Sequence, residues 1–372
     1  MAERLARINK AKILIIEQRN HIGGNCYDCY DERGILIHPY GPHIFHTDNK
    51  DVWTYLSKFT DWHYYQHRVV GMVDGQIVPI PFNINTLYDI FPKAHASRIE
   101  EHLIATFGFG KKVSIMELKQ TEDSDLRLLA EVIHEKIFLN YTVKQWGVKP
   151  DKISSEIFNR VPVVISKDDR YFHDAYQGLP KYGYTKMFEK MLNHPNIKIL
   201  LNTHMREVVD LDSDVIRFMG NRFDGQLIYT GKIDELFEYK FGELPYRAIE
   251  FDHETLCKNN YQNFSVVNYP NNYDFTRITE FKHMTGQTHP FTSILREFPC
   301  WHDEEKNNVP CYPVPTPENY RRFEKYMKLI NKNSNLVPIG RLAEYKYYDM
   351  DDMVARALDV FDKKLKKHHS EK

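Results

Sequence analysis

Long apolar runs are absent from this 372-residue chain: the longest, Ile13-Leu14-Ile15-Ile16, falls far short of the ~20 residues a membrane-spanning helix needs. The N-terminus is charged and carries no apolar stretch of the kind a secretory signal requires, so a soluble, cytoplasmic protein is expected. Neither sign of charge prevails. With 50 Lys+Arg against 51 Asp+Glu the formal net charge is −1, which excludes the basic excess of a general nucleic-acid binder. Cysteine is scarce and odd in number: five in a long chain make no disulfide scaffold. Cys26 and Cys29 form a C-x-x-C, but no second pair follows to complete a zinc site. Missing too are G-x-S-x-G, S-x-x-K, H-E-x-x-H and a P-loop. If the chain is an enzyme, its difficult chemistry is expected to come from a cofactor.

What the chain has in surplus is aromatic side chains: 24 Tyr, 22 Phe and 4 Trp. A Tyr surplus suits a site for flat rings and sugars, because each ring offers an apolar face and a polar tip. The length suggests two or three domains. Ala2 to Lys10 reads as a helix, and Lys12 to Glu17 as a short buried strand, the second half of a βαβ unit. Lys50 to Phe59 reads as a helix capped by Thr47 or Asp48. Val69–Val73 and Gln76–Ile80 flank Asp74-Gly75, a strong hairpin signal. A helical block follows from Ser97 to Lys144, clearest in Leu126, Leu129, Ile133 and Ile137. Strand-like runs come next at Val161–Ile165, Ile197–Leu201, Val215–Met219, Gln226–Thr230, Ala248–Phe251 and Phe264–Tyr269. A Pro-punctuated loop, a helix from Pro317 to Asn331, a strand Leu336–Gly340 and a helix from Met350 to Lys366 complete an α/β chain with insertions.

Several residues stand where chemistry is done. Glu17 closes a strand at the point where an α/β sheet places an acid on a ribose, and Gly23-Gly24-Asn25 lets backbone approach a ligand just downstream. His38, His43 and His46 share one Pro/Gly-bent loop; without thiolate or carboxylate partners at matching spacing they read as pocket lining, and no metal site is expected. Arginines recur in aromatic contexts: Tyr141-Thr142 to Trp146-Gly147 followed by Arg160, then Arg170-Tyr171-Phe172, Asn268-Tyr269 with Arg277, Cys311-Tyr312, and Arg341 with Tyr345-Lys-Tyr-Tyr-Asp349. Guanidinium forks hold phosphate and rings stack a base or sugar, so the set fits a diphosphate carrying rings.

Taken together, Glu17 to Asn25, Tyr40-Gly-Pro-His-Ile-Phe-His-Thr47, Pro79-Ile-Pro-Phe-Asn83, Tyr141-Thr142…Gln145-Trp146-Gly147, Thr276-Arg277-Ile-Thr-Glu280 and Gly340-Arg-Leu…Tyr347-Tyr-Asp-Met-Asp351 resemble prokaryotic UDP-galactopyranose mutase, from residue 2 to about residue 360. The resemblance implies an isomerase that interconverts UDP-galactopyranose and UDP-galactofuranose. It implies FAD in a Rossmann-type domain, active when reduced, with a covalent flavin N5–sugar intermediate. By the matched motifs, Arg160 and Arg277 clamp the diphosphate and His67 lies near the flavin–sugar contact. Tyr141, Thr142 and Trp146 border the uridine; Tyr171, Asn268, Tyr312 and Tyr347 line the diphosphate and sugar. Glu17, Gln18, Asn25, His43, Ile44, Arg341, Tyr348, Asp349 and Met350 hold FAD. NAD(P)H or another reductant, a homodimer and a role in cell-surface polysaccharide synthesis follow from the family.

The same resemblance divides the chain into an FAD-binding domain (1–62, 181–245 and 333–372), a helical domain (90–146) and an antiparallel-sheet substrate domain (63–89, 147–180 and 246–332). The strand and G-x-G-x-x-G turn with which the family opens are not found ahead of Ala2-Glu3-Arg4, so the FAD-binding domain is expected to be N-terminally incomplete. The alternative expectation is a fragment that binds UDP-sugar but retains FAD poorly and is inactive. A different FAD protein of the same fold group, such as an amine oxidase, would explain Glu17 and Gly-Gly-Asn but not the arginine islands.

Overall fold

The computed structural model describes residues 1–147, 162–212, 215–306, 308–330 and 335–365. Helix Ala2–Arg7 leads into strand Ile13–Ile16, which pairs in parallel with Ile197–Leu200, Ile13 opposite Ile197. A second parallel ribbon joins Leu227–Tyr229 to Leu336–Pro338. Leu5, Val337, Ile339, Val360 and Phe361, with Ile13 and Ile228 against them, pack the two ribbons together. Among the described residues each ribbon has two strands, and on the first Leu14, Ile199 and Leu200 stay 38–44% exposed. Here the family resemblance holds at the level of fold: a Rossmann-like α/β part beside antiparallel sheet.

The scaffold of the rest is a seven-stranded sheet. Its order is Pro310–Pro313, Tyr246–Leu256, Thr292–Trp301, Arg277–Glu280, Val266–Asn268, Val69–Val73 and Gln76–Ile80. All neighbours are antiparallel except Val266–Asn268 with Val69–Val73. The hairpin at its far edge forms as its D-G turn predicts, with Asp74 and Gly75 both at positive φ. Behind it the helical block buries Leu126, Leu129, Ile133 and Ile137 with Ile99 and Leu103, and the cluster extends onto Val69, Val73 and Val78.

Several elements depart from their sequence reading. The helix Lys50–Leu56 is capped by Asn49, not Thr47 or Asp48, and Asn49 accepts the N–H groups of Asp51 and Val52. The Thr47 hydroxyl instead donates to Asp351, and the Asp48 carboxylate takes the Ala175 N–H. Pro310–Pro313 is a strand rather than part of a loop; it lies at the sheet edge, where a residue lacking N–H costs no ladder bond. Strand Thr292–Trp301 was not expected, because Pro299 and the charged pair Arg296-Glu297 interrupt its apolar pattern. Tyr246–Leu256 runs well past the expected Ala248–Phe251, since its second half is largely solvent-facing and carries no apolar signal. The last helix covers Met350–Val360 and widens into a π turn at Phe361–Leu365.

Candidate functional site

The sheet aligns the chemistry. Across its middle, Asn268 pairs with Arg277 and Arg277 with Glu297; four residues along, Trp301 pairs with Arg247, and Arg247 with Tyr312. Cross-strand partners share a face, and residues two or four apart on one strand return to it, so these side chains stand on one surface. Loop His38–Ile44 crosses that surface: a Cβ on Gly41, which is at φ +91, would touch Phe251 and Glu297. Glycine is what lets the loop lie so close.

Arg277 is the cationic centre. Its Nε lies 2.7 Å from Glu297 Oε1; Glu297 is 1% exposed, whereas 28% of the Arg277 side chain remains open. Burial alone would lower the guanidinium, but the Glu297 carboxylate reverses this and holds it above its ordinary value. Tyr141 and Tyr312 lie close enough to act on it electrostatically. Around it stand aromatic walls. Trp146 is 6.0 Å from Tyr312, and Tyr312 stacks with Tyr347 at 5.9 Å and 17°. Arg341 lies over both tyrosines, 4.5 Å from the Tyr347 centroid and 5.5 Å from that of Tyr312. Its Nε donates to Tyr348 O.

Two imidazoles close the other side. Burial, then neighbouring His38, holds His43 down to about 3; burial, then Arg277 and His46, holds His67 down to about 3. Both are therefore neutral at pH 7, able to exchange hydrogen bonds but not to balance phosphate charge. His67 Nδ1 is 3.1 Å from the Tyr65 hydroxyl, which donates to Ser265 at 2.5 Å. His46 stacks on Phe172 at 3.6 Å with its Nδ1 3.2 Å from Asp174, and His67 is 5.9 Å from the same ring. Beside this stack opens a cavity of about 520 Å³ lined by Tyr65, Arg170, His173 and Asp174. The thiols of half-buried Cys26 and buried Cys311 are both pushed up to about 12 by loss of solvent, so neither supplies a thiolate at neutral pH.

Of the residues singled out from sequence, Arg277, His67, Tyr141, Trp146, Asn268, Tyr312 and Tyr347 come together here, with His43 and Arg341 adjoining. Thr142 is buried on the same helix, Asn140–Trp146. Tyr171 stands edge-on to His67, with its N–H donating to His67 O. Arg160 lies outside the described residues. Arg170, one of the arginine islands, is spent on Asp168, to which its Nε and Nη2 donate at 2.6–3.0 Å.

A second group surrounds the carboxyl end of strand Ile13–Ile16. Glu17 Oε1 accepts the Arg19 N–H, and Arg19 donates to Asn25 Oδ1 and lies over the Tyr40 ring. Arg19 Nη1 and His38 Nε2 are buried without a partner. Cys26 Sγ meets Met350 Sδ at 3.6 Å, and Tyr347 donates to Asp349 Oδ1, so the glycine loop, Arg341 and the start of helix Met350–Val360 converge. Ile44 packs into a separate cluster with Leu179 and Leu295, and Gln18 is exposed. Glu297 and Arg247 are site components that the sequence does not mark, whereas His46 and Phe172 take the lining places expected of the histidine loop and the Arg170-Tyr171-Phe172 island. A hydrophobic pattern gives no signal for Glu297, whose role comes from strand register alone.

Comparison with known proteins bears on this geometry. A family profile described as UDP-galactopyranose mutase matches residues 136–347, and one described as NAD(P)-binding Rossmann-like domain matches residues 1–59. The chain is 35% identical over 356 residues to a probable UDP-galactopyranose mutase of Klebsiella pneumoniae, covering 95% of this chain and 88% of that one. It is 34% identical over 359 residues to dTDP-fucopyranose mutase of Escherichia coli, covering 96% and 93%. Among solved structures, one described as reduced UDP-galactopyranose mutase superposes with a TM-score of 0.71 at 16% identity, covering 97% of this chain and 90% of that one.

Proposed function

Because the chain belongs to the UDP-galactopyranose mutase family and is an isomerase of that kind, we propose that it interconverts UDP-galactopyranose and UDP-galactofuranose with FAD as its cofactor, reduced in the active state. The observation that carries the reading is Arg277. It is a permanently charged group, backed by a buried carboxylate and partly open, with Tyr141 and Tyr312 close beside it and Trp146 and Tyr347 against Tyr312. That is what a nucleoside diphosphate with a sugar attached needs.

The residues near Glu17 fit a dinucleotide. Buried polar atoms without partners at Arg19 Nη1 and His38 Nε2 are costly unless a ligand meets them, and a Cβ on Gly24 would point into open space. Glu17 would take the ribose, Asn25 and Arg341 the diphosphate side, and the backbone from Tyr348 to Met350 the flavin end. When bound, a reduced flavin would supply nucleophilic chemistry at the anomeric carbon, a role that the protonated thiols of Cys26 and Cys311 do not fill. Arg277, with Arg160 where the family motif places it, holds the charge that grows on the departing diphosphate. Neutral His67 and His43 exclude water and offer hydrogen bonds to sugar and ring without adding charge. Trp146 and Tyr141 hold the uracil ring. The division into FAD-binding, helical and substrate segments given above is the arrangement this reading uses.

A second reading, sugar-nucleotide binding with poor flavin retention, rests on one observation: among the described residues each parallel ribbon has two strands, with Leu14, Ile199 and Leu200 exposed. One experiment decides. The purified chain is given FAD, freed of unbound FAD by gel filtration and its visible spectrum recorded; dithionite and then UDP-galactofuranose are added. Flavin absorbance with conversion to UDP-galactopyranose and no consumption of reductant supports the mutase. Quantitative UDP binding by a colourless protein supports the second reading. Faster turnover of dTDP-fucopyranose than of UDP-galactose would overturn the substrate assignment.

A further inference from the structure

The ring-bearing helix Asn140–Trp146 is fastened at two places that the reaction itself does not explain. A helix leaves its last carbonyls without intrahelical donors. Here Arg247, 3% exposed, supplies them: its Nη2 donates to Lys144 O at 2.8 Å and its Nε to Gln145 O at 2.9 Å, while its guanidinium lies 4.7 Å from the Trp301 ring. Gly147 ends the helix at φ +64, and a Cβ there would sit 2.4 Å from Arg247 Nη1.

The Lys144 side chain reaches elsewhere. Its ammonium donates to Tyr269 O at 2.6 Å, Tyr273 O at 3.0 Å and Phe275 O at 3.2 Å. An ammonium has three protons to give, and three carbonyls take them. All three belong to the turn between strand Val266–Asn268 and strand Arg277–Glu280. The rings of Tyr269, Tyr273 and Phe275 pack on one another at 4.8–5.2 Å and stiffen that turn. Asn140 and Asn271 add a second tie, Asn140 Nδ2 donating to Asn271 Oδ1 and Asn271 Nδ2 to Lys136 O. One lysine thus joins the helix that carries Tyr141, Thr142 and Trp146 to the turn that delivers Arg277.

We propose that Lys144 is a positioning residue that sets the separation between the aromatic platform and Arg277, so that the base and the diphosphate of one ligand are met at the same time. The inference rests on the nucleotide-sugar reading of that site. A ligand that spans two subsites gains from their fixed geometry, whereas a fragment that touches one subsite does not.

The test is made on the flavin-loaded protein with three probes: UDP, uridine and inorganic pyrophosphate. In Lys144→Met, UDP affinity falls tenfold or more while the affinities for uridine and pyrophosphate change less than twofold. Lys144→Gln, which keeps two N–H donors, gives an intermediate loss for UDP alone, and carries the same comparison should Lys144→Met fail to fold. Unchanged UDP affinity in both variants refutes the proposal. A parallel fall in uridine or pyrophosphate affinity also refutes it, because it shows that Lys144 merely supports one half of the site. Failure of the underlying reading looks different: the unsubstituted protein, or its Arg277→Ala variant against it, then shows no dependence of UDP binding on the site at all.

Discussion

Three histidines held without charge, His38 and His67 buried and His43 half-buried, make the protein sensitive to mild acid, and the size of the effect can be worked out. His38 is held down to about 4, and His43 and His67 to about 3, in each case first by burial. In the unfolded chain each titrates near 6.5. Their folded values are depressed, so their neutral state costs nothing above pH 6.5, and stability is lost as pH falls below 6.5 towards the folded values. At pH 5.5 the unfolded state has taken up most of one proton per histidine, which costs about 1.4 kcal/mol each and about 4 kcal/mol for the three. Against a net stability of ~5–15 kcal/mol that is a large fraction. The carboxyls of Asp28 and Asp234, both raised by burial, act in the opposite direction and offset part of the loss. The comparison that isolates one histidine is therefore differential. Urea unfolding is followed at pH 7.5 and 5.5 for the unsubstituted protein and for His67→Gln. The drop in unfolding free energy between the two pH values is expected to be about 1.4 kcal/mol smaller in the variant, whatever its absolute stability. An identical drop in both proteins would show that His67 takes up its proton in the folded state, and the reasoning would fail.

Arg277→Ala should lower kcat by ~10²-fold or more, because the leaving diphosphate loses its cation. It should also destabilise by ~3–5 kcal/mol by leaving Glu297 buried and unpaired. Arg277→Met combined with Glu297→Gln should restore the thermal midpoint but not the turnover; recovery of turnover would remove Arg277 from the mechanism. Glu17→Ala is expected to reduce the flavin content of the purified protein while UDP affinity, measured by calorimetry, stays within twofold; equal losses of both would deny Glu17 a ribose role. Gly147→Ala, strained by its positive φ and by contact with Arg247, should cost ~1–3 kcal/mol in unfolding free energy and weaken UDP binding. A neutral outcome in both measurements would show that the helix end is held by something other than Arg247.

Much of the site was legible because its residues travel in short motifs. Arg277, Tyr312, Tyr347 and Arg341 each sit in a local context of aromatic or glycine neighbours that marks them out; the structure stacks Tyr312 with Tyr347, lays Arg341 over both and brings Arg277 near Tyr312. Glu17 was marked by its place at the end of an apolar strand. His46 and Phe172 were visible in the sequence, but nothing local told that residues 126 positions apart would stack. Arg170 misled for the converse reason: an arginine between aromatics looks available until Asp168, two residues before it, claims the guanidinium.

By itself the sequence determined which elements could form and which chemistry was on offer. The hairpin about Asp74-Gly75, the amphipathic helices and the opening helix and strand all follow from side-chain periodicity and turn residues, which act over a few positions. Only the tertiary structure decided which charges survive. Glu297 becomes the counter-ion of Arg277 through strand register, and Lys144 finds its three carbonyls some 130 positions away. His43 and His67 become neutral because packing strips their water. Register, burial and loss of solvent are properties of the assembled chain, and no stretch of a few residues carries them.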